Sequence, residues 1–237
     1  MKYWDRREKL FKYTDGVRQF FPLATEQLDT IARLIHKFNP DIRSFLDLGC
    51  GDGFLGHFIY SLYPKSQGVF MDISTEMIKK AKLKDGDHHS EFIVQDFGED
   101  DWFTSISSMK KFNLVISGYS IHHIENQKKQ RLYRDVYNLL NRNGLFLNLE
   151  HVSSPTEILE ETFSEFFLDG MADYQKHIGE EKTCEEIKEI YHDPAHKALN
   201  KLESVEEQCR WLRATGFSNV DCYMKIFELA LFGGTKT

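Results

Sequence analysis

Ser44-Phe45-Leu46-Asp47-Leu48-Gly49-Cys50-Gly51-Asp52-Gly53-Phe54-Leu55-Gly56 decides the fold. Ser44 to Leu48 reads as a short apolar strand. It runs into three glycines at alternate positions, Gly49, Gly51 and Gly53, where the backbone can turn sharply and approach a ligand with no Cβ in the way. The residues after them read as a helix stopped by Pro64. The first turn of that helix offers backbone N–H groups without intrahelical partners. A strand, a glycine turn and a helix in this order open an α/β sheet whose ligand sits at the turn.

The same rhythm continues outward. QGVFMD (67–72), EFIVQD (91–96), FNLVISG (112–118) and GLFLNLEHV (144–152) read as further strands. STEMIKKAKLK between the second and third is a helix capped by Ser74, with Met77, Ile78 and Ala81 on one face. A helix over 126–141 ends at Asn143-Gly144. Upstream, residues 1–43 are a helical region, with Leu28, Ile31, Ala32, Leu34 and Ile35 at helical spacing and Asn39-Pro40 as the stop. Downstream, VEEQCRWLRATGF (205–217) is an amphipathic helix ending at Gly216, and NVDCYMKIFELALFGGTK supplies two more strands as a hairpin. Strands alternating with helices predict a doubly wound α/β fold. It is a seven-stranded, Rossmann-like sheet, parallel except for one antiparallel strand in the C-terminal hairpin.

Length and charge bound the rest. The chain has 237 residues and a formal net charge of −7, so a whole-protein basic field for nucleic acid or anionic membrane is excluded as the default. It reads as one domain over 1–237, with an acidic helical cap inserted at 153–203. That insert carries 13 Asp+Glu against 5 Lys+Arg, a net of −8, whereas the remainder is near balance at +1. No apolar run approaches a membrane span of roughly 18 residues. The charged N-terminus does not resemble a secretory signal. Cys50, Cys184, Cys209 and Cys222, without CxxC spacing, read as reduced thiols of a cytoplasmic protein. His192 and His196 stand four apart in the insert, but no cysteine or acid cluster completes a metal site there, and none is expected.

Three strand ends carry acids. Asp47 lies two residues before Gly49, where it suits a cationic ligand and opposes a pyrophosphate. Asp72, 19 residues past Gly53, ends the second strand and can accept both hydroxyls of a ribose. Asp96-Phe97 ends the third strand, with an acceptor for an adenine amino group and an aromatic wall beside the ring. Gly51, Gly53 and Gly56 also fit the dinucleotide pattern G-x-G-x-x-G, a weak match by itself. Together the acids describe a nucleoside bearing a positive charge.

On these residues the sequence resembles the class I S-adenosylmethionine-dependent methyltransferases. FLDLGCGDG looks like their first motif, VFMDIS their second, VQDF their third and FNLVISGYSIHHI their fourth-strand motif. The resemblance covers roughly 40–152 and 204–235. It implies S-adenosylmethionine as cofactor and S-adenosylhomocysteine as product. It places Gly49 and Gly51 against the methionine moiety, Asp72 on the ribose, Ile73 on the adenine face, Asp96 and Phe97 at the adenine edge, and Ser117 toward the sulfonium. The SIHHI segment, Glu150-His151-Val152 and the acidic insert resemble the small-molecule branch. The late QCRWLRATGF…FELALFGGTK segment resembles the carboxy-S-adenosylmethionine synthases of tRNA wobble-uridine modification. Those hold the extra carboxylate with an arginine where this chain has Trp211, flanked by Arg210 and Arg213.

A neutral acceptor with an acidic proton needs somewhere to put it, and a general base contributes typically ~10²–10⁴-fold. His122 and His123 follow the fourth strand, and imidazoles there titrate near neutrality. Glu150 and His151 end the fifth strand and point to opposite faces, so one of them faces the pocket. The expected catalytic set is Glu150, His151 and His123. Tyr13, Phe20, Phe21, Phe163, Phe166, Phe167 and Tyr174 are candidates for an apolar acceptor pocket. The expected partner is a small-molecule acceptor, with no nucleic acid and no membrane, and homodimerisation is left open. Three further readings compete: a tRNA wobble-uridine modification enzyme or carboxy-S-adenosylmethionine synthase-like protein, a non-enzymatic cofactor sensor, and a dinucleotide oxidoreductase.

Overall fold

The computed structural model describes residues 23–107, 111–178 and 198–237, with side-chain surroundings omitted for 171–178. Tyr13, Phe20, Phe21, Cys184, His192 and His196 therefore lie outside the described residues, as does the side chain of Tyr174.

Helix α1 spans Ala24–Phe38 and buries Leu28, Ile31, Ala32 and Ile35, the spacing the sequence shows. Of the helical region expected over 1–43, the described part is helical only to Phe38, because Pro40 lacks the N–H a continuing helix needs. Then come β1 (Ser44–Leu48), α2 (Phe54–Leu62), β2 (Gln67–Asp72), α3 (Thr75–Leu83) and β3 (Glu91–Val94). A short helix α4 (Trp102–Ser107), not anticipated, precedes β4 (Phe112–Gly118). Trp102 anchors it, fully buried, with its indole N–H donating to Asp135 at 3.0 Å. The 3₁₀ turn Ile121–His123 leads to α5 (Asn126–Leu139) and β5 (Leu140–His151). Strand β5 begins four residues earlier than the sequence indicates, because Leu140 already pairs with Phe112 ahead of a register shift. Helix α6 (Glu157–Ile178) opens the insert, and α7 (Val205–Thr215), β6 (Ser218–Ile226) and β7 (Leu229–Thr235) close the chain.

Ser74 caps α3 by accepting the Met77 N–H, and Gly216 ends α7 at φ +110, both as the sequence indicates. The seven strands run in the order β3-β2-β1-β4-β5-β7-β6. Only β7 is antiparallel to the rest, pairing with β5 on one side and β6 on the other. Two apolar layers flank the sheet. Phe45, Leu114, Leu145 and Leu147 pack with α1 and α2, while Val115, Phe146, Leu132 and Leu212 pack with α5 and α7. Strand order reverses between β1 and β4, and at such a switch point the loops diverge and leave a crevice at the carboxyl ends.

Candidate active site

The glycine loop leaves β1 through three left-handed residues, Gly49 (φ +68), Gly51 (φ +54) and Gly53 (φ +81). They are not equivalent. A Cβ on Gly49 would clash with Ser120 and approach the Phe97 ring edge at 3.2 Å, whereas one on Gly51 would meet nothing within 4 Å. The loop is therefore backed by protein at Gly49 and faces open space at Gly51. The local sequence does not mark Ser120, since only the tertiary fold brings the end of β4 over the loop after β1.

Each of the three acids accepts a backbone N–H. Asp47, 1% exposed, accepts from Gly56 at 2.8 Å and ties the end of β1 to the first turn of α2. Asp72 accepts from Gly51 at 2.8 Å with one oxygen and from Ser74 at 2.8 Å with the other. Asp96 accepts from Gly98 at 2.7 Å. An ionised carboxylate has about four lone-pair sites, so Asp72 and Asp96 keep room for further donors. The buried Cys50 thiol is pushed far up, by burial first and then by the fields of Asp47 and Asp72, so both carboxylates converge on this loop. Ile73 at the end of β2 is 65% exposed and Val94 at the end of β3 is 49% exposed, an apolar surface at the rim.

Two of the expected contact residues are buried. Phe97 is buried against the core, with its ring edge beside Gly49. Ser117 is fully buried and its hydroxyl donates to the Leu48 carbonyl at 2.7 Å, because its register beside Leu48 turns it into the sheet.

At the ends of β4 and β5 lie two imidazole–carboxylate pairs. His122 Nδ1 is 2.5 Å from Glu150 Oε1, and His151 Nε2 is 2.7 Å from Glu228 Oε2. The rings of His122 and His151 are 5.7 Å apart, and those of His122 and His123 are 3.9 Å apart. Glu150 is 1% exposed, so it does not face an open pocket. Burial alone would raise its pKa, but the charge and hydrogen bond of His122 and the N–H of His151 outweigh burial and hold it below the ordinary carboxylate value. Lys129, 1% exposed, adds a buried cation on the same side, its pKa lowered by burial against the opposing pull of Glu150 and Glu203. Its ammonium donates to Asn126 Oδ1 at 3.0 Å and to the Lys201 carbonyl. His123 is exposed, with Nδ1 3.4 Å from the Leu199 carbonyl. The alternation of β5 was legible in the sequence. Glu228 was not, because the hairpin read over 219–236 does not by itself show that its turn lies against the end of β5.

The late helix does not serve the glycine loop within one chain. Arg213 donates to the Val220 carbonyl at 2.9 Å, and Arg210 pairs with Glu207 three residues earlier. Neighbouring Ser218 pairs with Thr235 and Thr235 with Leu145, at the amino end of β5 and so at the opposite end of the sheet from the loop. Among the described residues no group of three or more His, Cys, Asp or Glu could hold a metal ion.

Comparison with known proteins follows the same geometry. The family described as methyltransferase domain matches residues 46–146, which run from β1 into β5. A carboxy-S-adenosyl-L-methionine synthase of Nautilia profundicola is 25% identical over 95% of this chain and 94% of its own length. A malonyl-[acyl-carrier protein] O-methyltransferase of Ilyobacter polytropus is 32% identical over 45% of this chain and 39% of its own. The solved structure of an O-methyltransferase family protein from Burkholderia thailandensis covers 99% of this chain and 69% of its own at 14% identity and a TM-score of 0.59, a likeness of fold. Sheet order, glycine loop and strand-end acids thus define a class I methyltransferase fold. The matched region and the likeness over nearly the full chain support an S-adenosylmethionine-dependent methyltransferase.

Proposed function

We propose that this methyltransferase acts on a small-molecule acceptor in the cytoplasm, with S-adenosylmethionine held by Gly49, Gly51, Asp72, Ile73 and Asp96, and with Asp47 acting through the loop. The observation that carries this is the open space over Gly51 beside a carboxylate with spare acceptor sites and an exposed Ile73. A bare backbone lets a ligand lie directly on the loop, Asp72 suits vicinal hydroxyls, and Ile73 offers an apolar face to a base. When bound, the cofactor supplies an electrophilic methyl group on a sulfonium. The chain's own part is to orient the acceptor, exclude water and receive a proton. His151, 17% exposed as a side chain, is placed for the last task, with Glu150 and His122 as the wall behind it. No described helix is long and apolar enough to cross a membrane. Calorimetry with S-adenosylhomocysteine tests the reading, and binding of NADH with none of S-adenosylhomocysteine would reject it.

A carboxy-S-adenosylmethionine reading is favoured by the full-length likeness to the Nautilia profundicola protein. It is opposed by the place of Arg210 and Arg213, neither of which reaches the loop of its own chain. Mass spectrometry of the nucleoside that co-purifies separates the two, since an extra carboxyl group would mark the second.

A further inference from the structure

The chain leaving β3 is laced to one face of α5. Lys128, Arg131 and Asp135 stand three and then four residues apart, so their side chains share that face. Each meets a different part of residues 98–102. Lys128 Nζ is 3.9 Å from Glu99 Oε1, and Asp135 accepts the Trp102 indole N–H at 3.0 Å. Between them, Arg131 Nη2 donates to the Gly98 carbonyl at 3.1 Å and to the Glu99 carbonyl at 2.9 Å, while Nη1 pairs with Asp100. Glu99 and Asp100 are exposed, so their ion pairs contribute little. The two carbonyl contacts differ in kind, because they hold the backbone of the turn that Asp96 opens.

Asp96 closes the same turn from the other side. Its Oδ1 accepts the Gly98 N–H at 2.7 Å, and its carbonyl accepts the Glu99 N–H at 3.2 Å. The N–H groups of Gly98 and Glu99 therefore serve Asp96, and their carbonyls serve Arg131. Gly98 is buried, and a Cβ there would stand 2.9 Å from both Asp96 Oδ1 and Ile124 Cγ2, so the turn is seated tightly against the residues that lead into α5. Arg131 Nε is buried with no acceptor among the described residues, so the guanidinium holds the turn through its terminal nitrogens alone. Asp96 Oδ2 accepts nothing from the described residues, and the residue is half-buried just beyond the exposed Val94.

We propose that Arg131 is a positioning residue for base selection, which fixes the Asp96 turn so that the site takes a 6-aminopurine cofactor and rejects a 6-oxopurine. The inference rests on the cofactor reading and deepens it, by naming what makes the adenine end selective. An ionised carboxylate only accepts hydrogen bonds. It suits the exocyclic amino group of adenine. A 6-oxopurine carries an acceptor at that corner, and its nearest donor, N1–H, lies one position round the ring. A carboxylate held in place rejects that base, whereas one free to shift takes the N1–H instead. Arg131 supplies the hold, since Asp96 cannot move without its turn and the carbonyls of that turn are bound to α5.

The test is titration calorimetry of the full chain with S-adenosylhomocysteine and with S-inosylhomocysteine, its 6-oxo analogue. Wild-type protein is expected to prefer the adenosyl ligand by about tenfold or more, the scale of one hydrogen bond to a charged group. Arg131→Met, which keeps the apolar stem, is expected to bring that ratio below about threefold. Arg131→Lys, which keeps the charge without the planar fork, is expected to fall between the two. A merely structural role would lower the melting temperature and both affinities together and leave the ratio unchanged. An unchanged ratio in either folded variant, or no preference in the wild-type protein, would overturn the proposal while leaving S-adenosylhomocysteine binding in place. Should neither variant fold, amide exchange of the wild-type protein decides. The Gly98 amide is expected to be protected without ligand, and protection that arises only with S-adenosylhomocysteine would overturn a turn held in advance. Absence of S-adenosylhomocysteine binding would overturn the cofactor reading and the base selection with it.

Discussion

Replacing Gly51 by alanine separates the cost of folding the glycine loop from its use as a ligand seat. Gly51 sits at φ +54, a conformation that costs an alanine roughly 1–2 kcal/mol. Its new Cβ would meet no atom within 4 Å, so no packing penalty is added. Part of the cost is offset by about 0.4–1 kcal/mol, because alanine loses less conformational freedom on folding than glycine. The net destabilisation expected is about 1 kcal/mol, a fall of roughly 2–4 °C in melting temperature for a chain of this size. Gly49→Ala bears the same backbone cost and also drives a methyl into Ser120 and the Phe97 ring edge. Overpacking of that kind adds about 1–3 kcal/mol, so Gly49→Ala is expected to be the clearly less stable of the two. Binding should rank the other way per unit of lost stability. A methyl on Gly51 stands where the ligand would lie, and a misfit of about 1–3 kcal/mol weakens S-adenosylhomocysteine by roughly 5- to 150-fold. Thermal melting and titration calorimetry on both variants read the two effects. Wild-type affinity in a folded Gly51→Ala protein would refute the assignment of the open space over Gly51 as the cofactor seat.

The remaining predictions concern the acids, the buried thiol and nucleic acid. Asp72→Ala should weaken S-adenosylhomocysteine by about 1.5–3 kcal/mol, the scale of a charge-assisted hydrogen bond. The loss should shrink for the 2′-deoxy analogue, and an equal loss for both ligands would assign Asp72 to loop support alone. Glu150→Ala removes the carboxylate that faces His122 and Lys129 and should cost about 3–5 kcal/mol in denaturant unfolding, so a cost near zero would contradict the buried pair. Because the folded Glu150 carboxyl titrates below its ordinary value of 4.5, its stabilisation is complete above that pH and is lost as pH falls further. A Glu150→Gln protein should therefore lose less stability than wild type on acidification below about pH 4.5, and parallel melting curves would contradict this. Cys50, buried and pushed far up, should resist alkylation in the native protein and react once unfolded, whereas rapid native labelling would place it in the open. In gel shifts at physiological salt, tRNA should bind weakly, while a tight, salt-sensitive complex would favour the RNA-modifying reading.

Local chemistry made much of this protein legible before any fold was drawn. The apolar runs of β1, β2 and β4, the Ser74 cap, the Gly216 stop and the three alternate glycines depend on hydrophobic period and on the torsions each residue allows, both properties of the adjacent chain. The placement of Asp47, Asp72 and Asp96 at strand ends follows from the same spacing. What they touch does not. Asp47 is held by Gly56, Asp72 by Gly51, and Phe97 lies under Gly49 because three separate strands converge. Ser117 reads as a strand-end residue in the chain, but the partner of its hydroxyl, the Leu48 carbonyl, is set by its register beside Leu48. Glu228 reaches His151 across 77 residues through the β5–β7 pairing, and Ser120 covers Gly49 across the β1–β4 crossover. Such contacts arise from strand order and register, which are settled by the packing of the whole sheet and leave no mark in the local sequence around either partner.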